Sequence, residues 1–140
     1  MPDVSSIPWL GVLVAVVASQ IIGFLWYGPL MFVKPWTAAL GKTEEEMKAA
    51  GQEGLGAAIG VGVVCSIVTA MALALILSMS RTPDVMSGVK IGLLAAVGFV
   101  VSYILITTMY EQRNPTLAWI ASGNQIVTLA VMGAILGAMW

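Results

Sequence analysis

Histidine is absent from this chain of 140 residues, and cysteine occurs once, at position 65. Without histidine, a zinc, haem or acid–base site would need unusual ligands, and a serine or cysteine nucleophile has no imidazole base. A lone Cys65 cannot form an intrachain disulfide. We therefore expect no catalytic residues, no metal site, no cofactor and no enzymatic activity.

Charge is also scarce. Lysine and arginine number 6, aspartate and glutamate 7, and charged residues make up 9% of the chain, against roughly 25% in soluble domains. The net charge is −1 and no basic run is present. A nucleic-acid partner is therefore not expected.

Hydrophobic residues make up 59% of the chain, and many of them lie in long apolar stretches. About 20 apolar residues in a helix cross the hydrocarbon core of a bilayer. Four stretches reach that length, and the sequence predicts four membrane spans at residues 7–27, 54–79, 83–110 and 115–140. Short connections between the later spans favour antiparallel neighbours. The predicted fold is all-α: one transmembrane domain, a four-helix up-down bundle.

Residues 28–53 interrupt this pattern and are expected to form an interfacial helical elbow between the first two spans. Thr43 and Glu46 have the spacing of a capping box, which predicts a short helix at 44–50 closed by Gly51. Thr82-Pro83 and Asn114-Pro115 each place a capping side chain before a proline. These pairs predict the starts of the third and fourth spans.

Charge at the span ends bears on orientation. The elbow side carries Lys34, Lys42, Lys48 and Arg113, and the side of the termini carries Arg81 and Lys90. Positive-inside bias favours the elbow in the cytoplasm and both termini outside, with a margin of two charges. A reversed or dual orientation remains open.

Small residues recur every four positions in the first two spans, a spacing that lets helix backbones approach closely in lipid. The fourth span offers a third row, with Ala130, Ala134 and Ala138 beside Gly133 and Gly137. The pattern can serve a tight intrachain bundle or contacts with a second copy. Because four helices of this length enclose little interior, we expect a homo-oligomer. The predicted packing positions are Gly11, Ala15, Ser19 and Gly23 in the first span and Ala58, Gly62, Ser66 and Ala70 in the second.

Polar residues at membrane depth are the candidate functional positions. They are Gln20 in the first span and Ser122, Asn124, Gln125 and Thr128 in the fourth. Ser122, Gln125 and Thr128 share a face at spacings of three, whereas Asn124 points about 100° away. These side chains could line a polar path, bind a small ligand or hydrogen-bond between helices.

One stretch carries a family resemblance. Gly23-Phe24-Leu25-Trp26-Tyr27-Gly28-Pro29-Leu30, followed by Phe32, Lys34, Trp36 and Gly41, resembles the signature of small four-span membrane proteins known as domain of unknown function 1761. The segment from Met132 to Gly137 is similar to a second, more generic marker of that family. The resemblance covers nearly the whole chain and implies a bacterial-type inner-membrane protein without an assigned activity. Members often place Tyr-His where this chain has Asn124-Gln125, so this chain either lacks any function of that histidine or performs it with an amide.

The first motif also has a physical reading. Trp26, Tyr27 and Trp36 suit the headgroup level as interfacial anchors, and Gly28-Pro29 ends a helix. Two functions remain open at this point. One is a small transporter or channel for a small molecule or ion of unknown identity. The other is a non-transporting module that binds lipid or a partner membrane protein.

Overall fold

The computed structural model describes residues 4–28 and 31–140, and of residues 44 and 47–55 the backbone alone. Helices account for nearly all of the described chain. After a 3₁₀ turn at Val4–Ser6 they are α1 (Trp9–Trp26), α2 (Val33–Leu40), α3 (Glu44–Ser78), α4 (Val85–Ala95), a π-helical segment (Ala96–Val101), α5 (Ser102–Tyr110) and α6 (Pro115–Ala138).

Four of these helical stretches are long and apolar enough to cross a membrane: Trp9–Trp26, Gly56–Ser78, Val85–Tyr110 and Pro115–Ala138. The third span consists of α4, the π-helical segment and α5 in one run. The predicted all-α, four-span class is confirmed, and the chain is an integral membrane protein. We call the end of the bundle that carries α2 and the 111–114 turn the elbow side, and the opposite end the terminus side.

α6 is the most buried span and contacts α1, α3 and α4. α1 and α4 flank it, and α3 packs mainly on α1. The apolar core lies toward the terminus side, where Leu77, Met132 and Leu136 are fully buried. These packed side chains fill the space between the helices at the terminus side.

The elbow is shorter than predicted, because the helix from Glu44 does not end at Gly51. It continues without a break to Ser78 over 35 residues, a length of about 52 Å. A mid-helix glycine costs about 1 kcal/mol relative to alanine, but it ends a helix only where the chain turns left-handed. The glutamate, lysine, alanine and methionine around Gly51 are good helix formers and carry the helix through.

Helix ends agree with the sequence at some positions and depart from it at others. Asn114 caps α6 by accepting a hydrogen bond from the Thr116 N–H at 3.0 Å, with Pro115 as first helical residue. The cap of α4 is Asp84, not Thr82, because Asp84 forms a reciprocal capping box with Ser87.

Two helices on the elbow side end in the same hydrogen-bond pattern, the Schellman motif. At the end of α2, Gly41 has φ 71° and the N–H of Lys42 donates to Thr37. At the end of α5, Gln112 takes the left-handed position with φ 54° and the N–H of Arg113 donates to Thr108. The second motif fixes the backbone of Arg113 over the end of α5.

Candidate functional site: a polar cavity at membrane depth

A cavity of about 390 Å³ lies between α1, α3 and α6, at the depth where the spans would meet hydrocarbon. Its volume lies within the range of small-molecule sites. None of its described lining residues carries a formal charge. We call it the central cavity, and its lining comprises Ser19, Gln20, Gly23, Phe24, Gly62, Cys65, Ser66, Thr69, Asn124, Gln125, Thr128, Leu129 and Met132.

Gln20 links α1 to α3 at the wall of this cavity. Its Nε2 donates to the hydroxyl of Ser66 at 2.7 Å, and that hydroxyl donates in turn to the carbonyl of Gly62 at 2.9 Å. A Cβ at Gly62 would stand 3.9 Å from Oε1 of Gln20. Gly62 and Ser66, predicted as packing positions, therefore belong to the polar wall because a small residue leaves room for the amide.

Asn124 and Thr128 form the second polar wall, on α6. The Thr128 hydroxyl donates to Oδ1 of Asn124 at 3.3 Å, and both residues are buried. The Tyr27 side chain, at the C-terminal end of α1, lies close to that of Asn124. Asn124 thus faces the cavity rather than pointing away from it.

Gln125 lines the same cavity, and no other described residue hydrogen-bonds its amide. An amide at membrane depth has two N–H donors and a carbonyl acceptor to satisfy. Leaving those groups unpaired in an apolar surrounding costs free energy. Gln125 is therefore the cavity residue with the most unused hydrogen-bonding capacity.

Ser122 does not share this site. It is buried on another side of α6, and its Oγ has no hydrogen-bond partner in the described chain. The structure thus brings Gln20, Asn124, Gln125 and Thr128 together and leaves Ser122 out. Two cavity residues that the sequence reading did not select are Cys65 and Thr69, which lie four apart on α3 and on the same side as Ser66.

The cavity is closed toward the terminus side and less enclosed toward the elbow side. Below it, Ala70, Leu73 and Leu77 of α3 are buried against the apolar core. Above it, α3 leaves the bundle: residues 56–61 are exposed, and Cβ atoms built at Gly56 and Gly60 meet no neighbour within 4 Å.

The aromatic motif after α1 folds back on the bundle. The Trp26 indole N–H donates to the carbonyl of Ile120 at 2.9 Å, and the same ring covers Gly123. Trp26 also packs on Phe32 with ring centroids 4.9 Å apart. The motif therefore pins the end of α1 to α6.

The other motif residues lie beside this contact. Tyr27 packs on Trp36, with ring centroids 5.0 Å apart. A Cβ on Gly28 would stand 2.7 Å from the carbonyl oxygen of Phe24, so a side chain there would clash. Pro29 lies outside the described residues.

The small-residue rows divide between two environments. In α1, Gly11, Ala15 and Ser19 are buried within the chain, while a Cβ on Gly23 would meet no neighbour within 4 Å. In α3 the small residues at this spacing lie in different environments along the helix. Ala70 is fully buried and Ala58 is exposed.

A very close helix contact pairs the small residues predicted in the fourth span with glycines of α4 that were not predicted as packing positions. α4 and α6 meet backbone to backbone at glycines. A Cβ on Gly92 would stand 2.7 Å from the carbonyl carbon of Leu129, and one on Gly88 would stand 2.6 Å from that of Gly133. The spacing of Gly88, Gly92 and Ala96 is the signal that could have located this contact.

The fold and the site thus define a class: a small, all-helical, four-span membrane protein with an uncharged polar cavity between its helices. Within that class the chain belongs to the family described as Protein of unknown function (DUF1761), whose family model matches residues 10–137. The resemblance found in the sequence is therefore confirmed. No curated protein and no solved structure matches this chain.

Proposed function

We propose that this protein binds a small, uncharged, hydrogen-bonding solute in the central cavity and carries it across the membrane. The observation that carries the proposal is the convergence of Gln20, Asn124, Gln125 and Thr128 on one cavity. Among the described residues, none hydrogen-bonds the Gln125 amide. Amides and hydroxyls offer both donors and acceptors, which suits a solute with the same mixture of groups.

The absence of charge from the described lining restricts the solute. An ion at membrane depth without a counter-charge is expensive. The site offers hydrogen bonds in place of ion pairs, and a neutral solute needs no more. We therefore assign it to small polar non-electrolytes, a class represented by glycerol and urea, and assign no enzymatic activity.

The position of the cavity suits a carrier with one open end. The core around Leu77, Met132 and Leu136 blocks passage on the terminus side, while α3 diverges on the elbow side. A solute entering from the elbow side would stop at the polar walls. Release on the other side would require α3 to change its packing against α1 and α6.

The test is solute flux into proteoliposomes, followed by stopped-flow light scattering with glycerol, urea and potassium chloride as probes. We expect faster entry of a neutral probe than in protein-free liposomes, and no added entry of the salt. Gln125→Leu should return the neutral rate to the protein-free value. Ser102→Ala, a change at an exposed position outside the cavity, should leave it unchanged.

The chain's own cysteine supplies an independent test that water enters the cavity. Cys65 is exposed on the cavity wall, and Val64 beside it is exposed on another face of α3. A charged, membrane-impermeant methanethiosulfonate should modify Cys65 faster than the cysteine in a Cys65→Ser, Val64→Cys variant. Equal rates would contradict an aqueous cavity.

A second candidate function is a non-transporting module that binds lipid or a partner membrane protein, in which the exposed half of α3 is the contact surface. The observation that favours it is the exposure of α3 between residues 56 and 61. Ala58→Leu should then disrupt assembly, while Gln125→Leu should have no effect. A substitution at Ala58 tests this surface alone, whereas one at Gly62 would also disturb the central cavity, because Gly62 faces Gln20.

Assembly and placement complete the proposal. We propose that the protein works as a homo-oligomer in the bacterial inner membrane, with the elbow side in the cytoplasm and both termini outside. The exposed small-residue face of α3 supports the homo-oligomer. The excess of lysine and arginine on the elbow side supports the orientation. Native mass spectrometry from nanodiscs would report the subunit number and any retained solute.

A further inference from the structure

A second cavity, of about 310 Å³, lies on the elbow side between α1, α2, α5 and α6. We call it the elbow cavity. Its walls differ from those of the central cavity, because they combine three aromatic rings with one cation. Its aromatic, polar and charged lining residues are Tyr27, Trp36, Tyr103, Thr107, Thr108 and Arg113.

The elbow cavity has hydrogen-bond donors on two of its aromatic side chains. The side chains of Trp36 and Tyr103 have no hydrogen-bond partner among the described residues, so an indole N–H and a phenol O–H remain available. The hydroxyls of Thr107 and Thr108 donate to backbone carbonyls of their own helix, at 2.9 and 2.6 Å. No carboxylate lines the cavity in the described part of the chain. Toward the cavity the two threonine hydroxyl oxygens can only accept. The donors that remain are the indole N–H, the phenol O–H and the guanidinium of Arg113, and together they favour an anion.

Arg113 supplies the charge. Its Nε lies 2.6 Å from Oε2 of Glu111, in an ion pair whose side chains are 64% and 51% exposed. The two terminal nitrogens of the guanidinium have no other described partner. A planar guanidinium binds phosphate through two parallel hydrogen bonds, so those nitrogens can bind a phosphate while Nε keeps the carboxylate.

Arg113 also borders an apolar groove on the lipid-facing side of α5 and α6. This groove measures about 460 Å³ and is lined by Leu105, Thr108, Met109, Gln112, Pro115, Ala118 and Trp119. Met109 is 78% exposed and Trp119 68% exposed, so the surface is open to lipid. One cation thus stands between a polar cavity and a groove suited to hydrocarbon.

We infer that this region is a binding site for one anionic phospholipid, with the phosphate on Arg113, the headgroup in the elbow cavity and an acyl chain in the groove. Trp36 and Trp119 mark the headgroup level, where a lipid phosphate lies. The positive-inside bias favours this end in the cytoplasmic leaflet, which carries anionic lipid. The site is independent of the central cavity and of the proposed transport.

The experiment is native mass spectrometry of protein released from nanodiscs containing equal amounts of phosphatidylglycerol and phosphatidylcholine. We expect one retained phosphatidylglycerol per chain. Arg113→Gln should lower its retention about tenfold, the effect of losing a charge-assisted pair. Arg81→Gln, which removes an arginine on the terminus side, should have no effect.

Two further variants keep the test decisive if Arg113→Gln fails to fold. Glu111→Gln frees the guanidinium and should raise phosphatidylglycerol retention, and Tyr103→Phe removes one donor and should lower it. Equal retention of both lipids, or equal loss in the Arg113 and Arg81 variants, would overturn the inference. Displacement of the lipid by millimolar inorganic phosphate would overturn it in favour of a free-anion site. Flux of glycerol or urea should be the same in all these variants.

Discussion

Alanine at position 133 should loosen the bundle at its closest contact. Gly133 on α6 faces Gly88 on α4, and the added Cβ would stand 2.7 Å from the carbonyl carbon of Gly88, whereas ordinary contact begins at 3.4 Å. The helices must therefore separate by at least about 0.7 Å there. The obstacle is backbone, which no rotamer change can move.

The neighbouring contacts make that separation expensive. Gly92 meets Leu129 and Gly137 meets Val85 at similarly short range, so α4 is held against α6 over two further turns. Overpacking of this kind typically costs about 1–3 kcal/mol. Alanine also raises helix propensity by about 1 kcal/mol, which acts in the opposite direction.

A matched variant separates the two effects. Gly60 lies in the regular helix of α3, and a Cβ there meets no neighbour within 4 Å. Gly60→Ala therefore reports propensity alone, and Gly133→Ala should be less stable than it by about 1–3 kcal/mol. The assay is unfolding in mixed dodecylmaltoside–SDS micelles, followed by far-UV circular dichroism. Equal stability of the two variants would refute the close contact.

Three other predictions concern helix ends and the aromatic motif. Gln112→Gly should stabilise the protein by about 1 kcal/mol in the same assay, because a left-handed residue with a Cβ is strained; a loss would contradict the φ of 54°. Trp26→Phe should cost about 1 kcal/mol through the lost hydrogen bond to Ile120, and no change would show that water replaces it. Hydrogen bonds from Ser87 hold the pKa of Asp84 below its usual value of 3.8. The ionised carboxylate therefore stabilises the folded protein above pH 3.8, and this stabilisation is lost as the pH falls through the lower pKa of the folded state. Asp84→Asn keeps a cap without a titrating group, so its melting temperature should vary less between pH 5 and pH 2 than the parent's; an identical pH profile would assign the effect elsewhere.

Local chemistry made several features readable from the sequence. Four runs of about twenty uncharged residues form helices in lipid, because a helix hydrogen-bonds the N–H and C=O groups of its own backbone. Asn114 before Pro115 marked the start of α6. The family motif around Trp26 was also visible, since it is a contiguous string of unusual residues.

Other local signals had competitors. Gly51 resembled a helix stop, but the glutamates and alanines around it carry α3 through. Thr82-Pro83 resembled a helix start, but Asp84 lies one residue further on and finds Ser87 at capping distance. In both cases two plausible signals stood a few residues apart, and only the folded backbone shows which one was used.

The sequence by itself determined that this protein is a four-span helical bundle and which polar residues lie at membrane depth. Tertiary structure decided which of them meet. Gln20 of α1 hydrogen-bonds Ser66 of α3. Asn124 lines the cavity, and Ser122 does not. Helical periodicity fixes the angle between residues on one helix. The rotation of each helix against its neighbours depends on glycine contacts between distant segments, which no single stretch of sequence contains.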